Sequence, residues 1–205
     1  MKKRTTSDYQ ISAWSGGTTT QLAIWPEHAV YAHRDFLWRV SSATVELETS
    51  DFTHLPDYDR LIATLEGGIV LTHNGGAPIT LRPFEVHAFS GADATHSVGR
   101  CRDFNLMLRR DRVRGSMETL VLTDAPVRLG ADAAGEQLLV YCVSGECAAA
   151  EANAGTSVAG QPFAPAVSDG MILQPGESLL CSAPARLTLT GNARLMVCHM
   201  QTVQE

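Results

Sequence analysis

No apolar run in this 205-residue chain approaches the ~20 residues that a helix needs to cross a bilayer. Positive charge is also scarce. Lys and Arg number 16 against 22 Asp and Glu, a net charge of -6, which argues against a nucleic-acid or anionic-membrane partner. The opening Met-Lys-Lys-Arg-Thr-Thr-Ser-Asp has the charge cluster of a signal peptide, but no apolar stretch follows it, so a cytoplasmic location is expected. Cys101, Cys142, Cys147, Cys181 and Cys198 are odd in number and lack Cys-x-x-Cys spacing. They are expected to be buried reduced thiols rather than a zinc site or redox pair.

Catalytic signatures are missing as well. No two of the seven histidines are separated by a single residue, so no strand carries a His-x-His ligand pair, and neither a metal nor another cofactor is expected. There is no Gly-x-Ser-x-Gly elbow, and Gly16-Gly17 lacks the lysine of a phosphate-binding loop. The one basic run, Arg109-Arg110-Asp-Arg112-Val-Arg114, is broken by Asp111 and reads as a solvated connector.

What is present is strand pattern. Apolar residues make up 44% of the chain, in alternating or continuous short runs punctuated by Gly, Pro, Asn and Asp, so the fold should be mainly β. One order of elements occurs twice: strand, glycine turn, return strand, Leu-x-Pro-x-Glu, strand. It runs through Arg60 to Gly67, Ile69 to Thr72 and Leu81 to Phe89, then again through Gln137 to Gly145, Met171 to Glu177 and Arg194 to His199. A duplicated half explains this repeat, and the pattern resembles the cupin superfamily of small antiparallel barrels. The expectation is two cupin-like barrels, 1–112 with a ligand pocket and 113–205, with early strands free to cross between them. Ala148 to Ser168, rich in small residues, reads as an inserted loop.

Polar residues recur on strand faces that should be buried. In Trp38-Arg-Val-Ser-Ser-Ala-Thr-Val45, Arg39, Ser41, Ala43, Val45 and Leu47 share one face, with Trp38, Val40 and Ser42 on the other. A guanidinium there needs a partner, because burying a lone charge costs several kcal/mol at least. Arg60 shares a face with Ile62 and Thr64, Asp103 shares one with Asn105, and Glu85, His87 and Phe89 form a third alternating set. Gly17, Thr18 and Thr19 offer N–H groups and hydroxyls of a tight turn to an oxyanion. Two arginines with one aspartate leave positive charge to spare, which favours a small carboxylate. An internal pair of Arg39 or Arg60 with Asp103 is the competing account. If the pocket is catalytic instead, Glu85 or His87 is the general base.

Five blocks carry a resemblance over about residues 9 to 110: Trp14-Ser-Gly-Gly-Thr-Thr-Thr-Gln-Leu, Asp35 to Val45, Phe52 to Arg60, Leu65-Glu-Gly67 and Asp103-Phe-Asn-Leu-Met107. In this order they resemble the HutD/Ves family of bicupins. The family's first block often reads Trp, a basic residue, Asn, glycines and Thr-Arg-Glu. Here it is shorter and ends Thr20-Gln21, so that charged pair is absent. The resemblance implies a cytoplasmic protein linked to histidine utilisation that binds urocanate or formylglutamate in a regulatory role. The alternative is an isomerase or hydrolase using the same pocket. Arg39, Arg60, Asp103 and Asn105 stand at matching positions, with Ser41 beside them. A homodimer is neither required nor excluded.

Overall fold

Alternation becomes strand nearly everywhere in the computed structural model, which describes residues 1–123, 125–151 and 170–203. In chain order the first half contains β1 (Lys2–Arg4), β2 (Gln10–Trp14), β3 (Gly17–Trp25), β4 (Trp38–Val45), β5 (Thr49–Asp51), β6 (Tyr58–Gly67), β7 (Ile69–His73), β8 (Ile79–Leu81), β9 (His87–Ser90), β10 (Thr95–Val98) and β11 (Cys101–Arg109). The second contains β12 (Val113–Leu122), β13 (Val127–Ala131), β14 (Glu136–Glu151), β15 (Met171–Leu173), β16 (Ser178–Ser182) and β17 (Ala185–Thr202). Among the described residues, helix is limited to two single 3₁₀ turns, Thr6–Asp8 and Tyr31–His33. No helix among the described residues is long and apolar enough to cross a membrane.

Three antiparallel sheets result. A six-stranded sheet runs β2-β3-β4-β11-β6-β9, and a four-stranded sheet, β5-β10-β7-β8, faces it. The third follows β1-β16-β14-β17-β12, with β13 on β17 and β15 on β14. The mainly β expectation holds, but closed barrels are not formed. Among the described strands no ladder joins the first two sheets, and the six-stranded one ends at β2, whose five residues are all exposed. Its architecture is a sandwich of open sheets. β1 pairs with β16, so the chain begins in the sheet built mostly from its second half.

The repeated order seen in the sequence has a repeated geometry. The β6–β11 register shifts beside Leu65, and the β14–β17 register shifts beside Val143; each bulge is followed two residues later by a left-handed glycine, Gly67 at φ 69° and Gly145 at φ 78°. A side chain on either glycine would strike a facing carbonyl, that of Arg100 or of Asn192. The Leu-x-Pro-x-Glu segments are also one device used twice. Glu85 Oε2 accepts the Arg82 N–H at 3.0 Å, and Glu177 Oε2 accepts the Gln174 N–H at 2.8 Å. Each glutamate closes its own turn. Of the segment expected as a loop, Ala148 to Glu151 lie within β14, where Ala148 and Ala149 pair with β15, and residues 152–168 lie outside the described residues.

The two halves share one core. Leu22, Trp38, Val40, Phe104 and Leu106 from the six-stranded sheet pack with Leu139, Tyr141, Met196, Cys198 and Met200 from the other. Trp38 Nε1 donates to Gln137 Oε1 across this contact at 2.8 Å. The other face of the third sheet closes over Leu138, Val140, Leu179, Leu187, Leu195 and Val197, so β14 and β17 are apolar on both faces, which explains their continuous hydrophobic runs. All five cysteines are unpaired and buried. Two of the connector's arginines are tied down, Arg109 to the Arg34 carbonyl at 2.7 Å and Arg110 to Asp59 at 2.9 Å.

Phe104 is fully buried at the centre of the shared core, with its ring 5.3 Å from that of Tyr141. Phe104→Ala should destabilise the protein by about 3–5 kcal/mol. Urea unfolding followed by fluorescence and by circular dichroism should give one coincident transition for wild type and variant. Two separate transitions, with only one displaced, would show that the halves do not share stability.

Candidate functional site

Strand register assembles a polar cluster on the inner face of the six-stranded sheet. Direct pairing sets side chains in rows: Arg39, Met107, Arg60 and Phe89 form one, and Gln21, Ser41, Asn105, Ile62 and His87 the next. The third row is Thr19, Ala43, Asp103 and Thr64. Every polar member of β4, β6 and β11 in these rows comes from period-2 alternation. Apolar clusters flank them: Ile24, Phe36, Leu55, Tyr58 and Met107 on one side, Ile62, Ile69, Leu71, Leu81 and Phe89 on the other. Arg39 and Arg60 are each only 5% exposed, Asp103 4% and Asn105 6%.

The expected partners are brought together, with Asn105 between the charges. Arg60 Nη2 donates to Asn105 Oδ1 at 3.0 Å, and Asn105 Nδ2 donates to Asp103 Oδ1 at 2.7 Å. The Ala43 N–H donates to the same Oδ1 at 3.0 Å. Arg39 Nε donates to Gln21 Oε1 at 2.8 Å and its Nη1 to Ser41 Oγ at 3.1 Å. Among the described residues, neither guanidinium reaches Asp103 within the 4.0 Å of an ion pair. The buried Arg60 Nε and Thr64 Oγ1 have no hydrogen-bond partner among the described residues.

Aromatic faces hold the guanidiniums from the other side. Arg39 Cζ lies 4.2 Å from the Tyr31 ring centroid, while Arg60 Cζ lies 4.9 Å from that of Phe52 and 5.0 Å from that of Phe89. Burial lowers the pKa of both arginines to about 10, so both stay charged near neutrality. Burial pushes the Asp103 carboxyl up to about 6, against the pull of the Ala43 and Asn105 donors and of both arginines. The cluster carries an excess of one positive charge when Asp103 is ionised and two when it is protonated. Such a site has donors and field to hold an anion, and a planar carboxylate matches the guanidinium fork.

Other expected residues fall elsewhere. The turn after β2 is at Ser15–Gly16; Gly17, Thr18 and Thr19 run within β3 between β2 and β4, so their backbone groups are spent on ladders rather than offered to an anion. The three threonines prefer extended backbone because they branch at Cβ. Thr18 pairs with Thr44 on the opposite face, which borders a cleft of about 180 Å³ between the halves. Glu85 is exposed and precedes β9 instead of alternating within it. His87 does share the inner face with Phe89, and its Nε2 lies 2.9 Å from His73 Nε2. Leu47 lies beyond the end of β4 and is exposed.

Gln21, Tyr31, Phe52 and His73 belong to the surroundings of the cluster and were not expected there. Gln21 had a signal, because it occupies the end of the altered first block. His73 alternates with Leu71 on β7, but alternation does not say what lies across the sandwich. Tyr31 sits in a 3₁₀ turn and Phe52 just after β5, where no period operates.

Among the described residues, no group of three or more His, Cys, Asp or Glu is placed to hold a metal ion. The sequence matches the HutD family over residues 6–198. Protein Ves of Cronobacter sakazakii is 32% identical over 142 residues, 66% of this chain and 72% of that protein. Among solved structures, the conserved protein of unknown function PA5104 from Pseudomonas aeruginosa PAO1 superposes with a TM-score of 0.76 at 24% identity. It covers 99% of each chain. HutD from Pseudomonas fluorescens SBW25, determined in a formate condition, gives 0.73 at 23% identity, also over 99% of both chains. The pirin YhhW from Escherichia coli, solved with nickel(II), gives 0.66 at 11% identity over 98% of this chain and 99% of that one, a likeness of cupin-type fold alone. With the family match spanning nearly the whole sequence, this chain belongs to the HutD family.

Proposed function

We propose that the protein is a cytoplasmic regulatory binder of a small carboxylate in histidine utilisation, with urocanate or formylglutamate as the ligand. Arg39 and Arg60 anchor the anion, and Asn105, Asp103 and Ser41 orient them. One observation carries this reading: among the described residues, two buried guanidiniums stand without a carboxylate partner within ion-pair reach, and Arg60 Nε has no acceptor. An unpaired buried charge costs several kcal/mol, and an incoming carboxylate relieves that cost.

The enzyme reading keeps His87 and loses Glu85, whose carboxylate is engaged in its own turn. His87 lies in the row next to Arg60, two residues along β6 and β9, which is where a general base would stand. It is the weaker reading, since His87 Nε2 is already paired with His73.

Calorimetric titration with urocanate, formylglutamate and glutamate should give saturable binding of at least one of them. Arg60→Ala should weaken it by about 10- to 100-fold, the worth of charge-assisted hydrogen bonds. Equal binding in both proteins would remove Arg60 from the site.

Asp103 adds a pH dependence. Its folded pKa of about 6 lies above its ordinary 3.8, so the folded protein holds the proton more tightly than the unfolded chain. Stability from this group is therefore greatest below about 4 and falls as pH rises through about 6. Carboxylate affinity should rise severalfold between pH 7.5 and 5.5 as the competing negative charge is neutralised. Asp103→Asn should flatten both trends and bind at pH 7.5 as the wild type does at 5.5; an unchanged pH profile would contradict the role given to Asp103.

A further inference from the structure

On the inner face beside Arg60 lies a second polar pair that, among the described residues, makes no hydrogen bond to the arginines, Asp103 or Asn105. His73 on β7 and His87 on β9 reach toward each other across the sandwich until their Nε2 atoms are 2.9 Å apart. One of the two must donate and the other accept. His73 Nδ1 is fixed by Thr95 Oγ1 at 2.8 Å, whereas His87 Nδ1 is bonded to no described residue. The two rings meet edge to edge, nearly coplanar, with centroids 5.1 Å apart; the Phe89 ring lies 4.9 and 5.9 Å from them and is one of the two rings that Arg60 covers.

Register sets the separation. Arg60 pairs with Phe89 and Ile62 with His87, so Arg60 and His87 are diagonal neighbours, about 7–8 Å apart. Among the described residues, two groups in adjacent rows of this face therefore have unused hydrogen-bonding capacity, Arg60 Nε and His87 Nδ1. A simple monocarboxylate held by the arginines leaves the imidazoles unused. A paired imidazole couple can donate to an anion by taking up a proton, or donate from neutral nitrogen to a carbonyl.

We propose that the His73–His87 pair is a second subsite beside the arginine cluster, so that the ligand is two-ended: a carboxylate at Arg60 and a second carboxylate or carbonyl acceptor at the imidazoles. This rests on the carboxylate-binding reading of Arg39 and Arg60 and specifies the ligand class. Short-chain dicarboxylates and their terminal amides fit it; monocarboxylates of equal length satisfy half of it.

Titration with butyrate, succinate, glutarate and adipate tests the subsite apart from the arginine anchor. Wild type should prefer its best dicarboxylate over butyrate by about tenfold or more, with an optimum in chain length. In His87→Phe, which keeps a ring on Phe89, that preference should fall to within about threefold while butyrate affinity stays unchanged. His73→Phe should behave alike, giving an independent check if one variant folds poorly. Equal wild-type affinity for butyrate and every dicarboxylate overturns the subsite and leaves the arginine anchor intact. Binding of none of the four overturns the carboxylate reading itself, and the subsite with it.

Discussion

Two guanidinium charges held inside a β-sandwich, neither within ion-pair reach of Asp103 and only Arg60 linked to it, through Asn105, govern the rest of this architecture. Removing a charge from water costs several kcal/mol even after local relaxation. The protein meets part of that cost with amide and hydroxyl acceptors, Gln21, Ser41 and Asn105, and part with the faces of Tyr31, Phe52 and Phe89. Neither arrangement neutralises the charge. Had Asp103 paired directly with either arginine, the cluster would be closed and would merely fix register; with Asn105 interposed at Arg60 and neutral Gln21 and Ser41 at Arg39, the guanidiniums stay electrostatically hungry. The same low-polarity surroundings that make the arrangement expensive make it effective toward an anion.

The cost is borne because the frame around the cluster is stiff. The six-stranded sheet that carries it is buried on its far side against the third sheet, through a core to which both halves contribute. Paired bulges and paired left-handed glycines turn the strands at equivalent places in each half. In the second half the corresponding interior is filled by Leu, Val and Cys side chains. One copy is packed and the other charged, a division that leaves the second half as support for the first.

Much of this was legible in the chain. A period of two placed Arg39 with Ser41, Arg60 with Thr64, and Asp103 with Asn105 on one face, because an apolar neighbour on each side left no other burial pattern. The repeated glycine and Leu-x-Pro-x-Glu signals gave the duplicated order of elements. Closure into barrels was not legible, since whether edge strands meet depends on tilt and curvature rather than on alternation. Glu85 misled because its spacing from His87 and Phe89 imitates a strand, whereas its backbone turns before β9 begins. Gly17 to Thr19 misled in the opposite sense, as turn-like residues that continue a central strand. Tyr31, Phe52 and the His73–His87 contact arise where two sheets face each other, and no spacing within one strand encodes what stands opposite.

The central claim is that the Arg60 guanidinium is open to a carboxylate inside the folded protein. Nitrogen-15 NMR of arginine Nε–Hε pairs, with Arg60 assigned by its substitution, reads that group directly during a glutarate or urocanate titration. The account predicts a saturable downfield shift of the Arg60 Hε resonance, with Arg39 responding as well and surface arginines such as Arg100 unmoved. An Arg60 resonance that stays fixed while ligand binds elsewhere, or through saturating concentrations of every carboxylate tried, would contradict it.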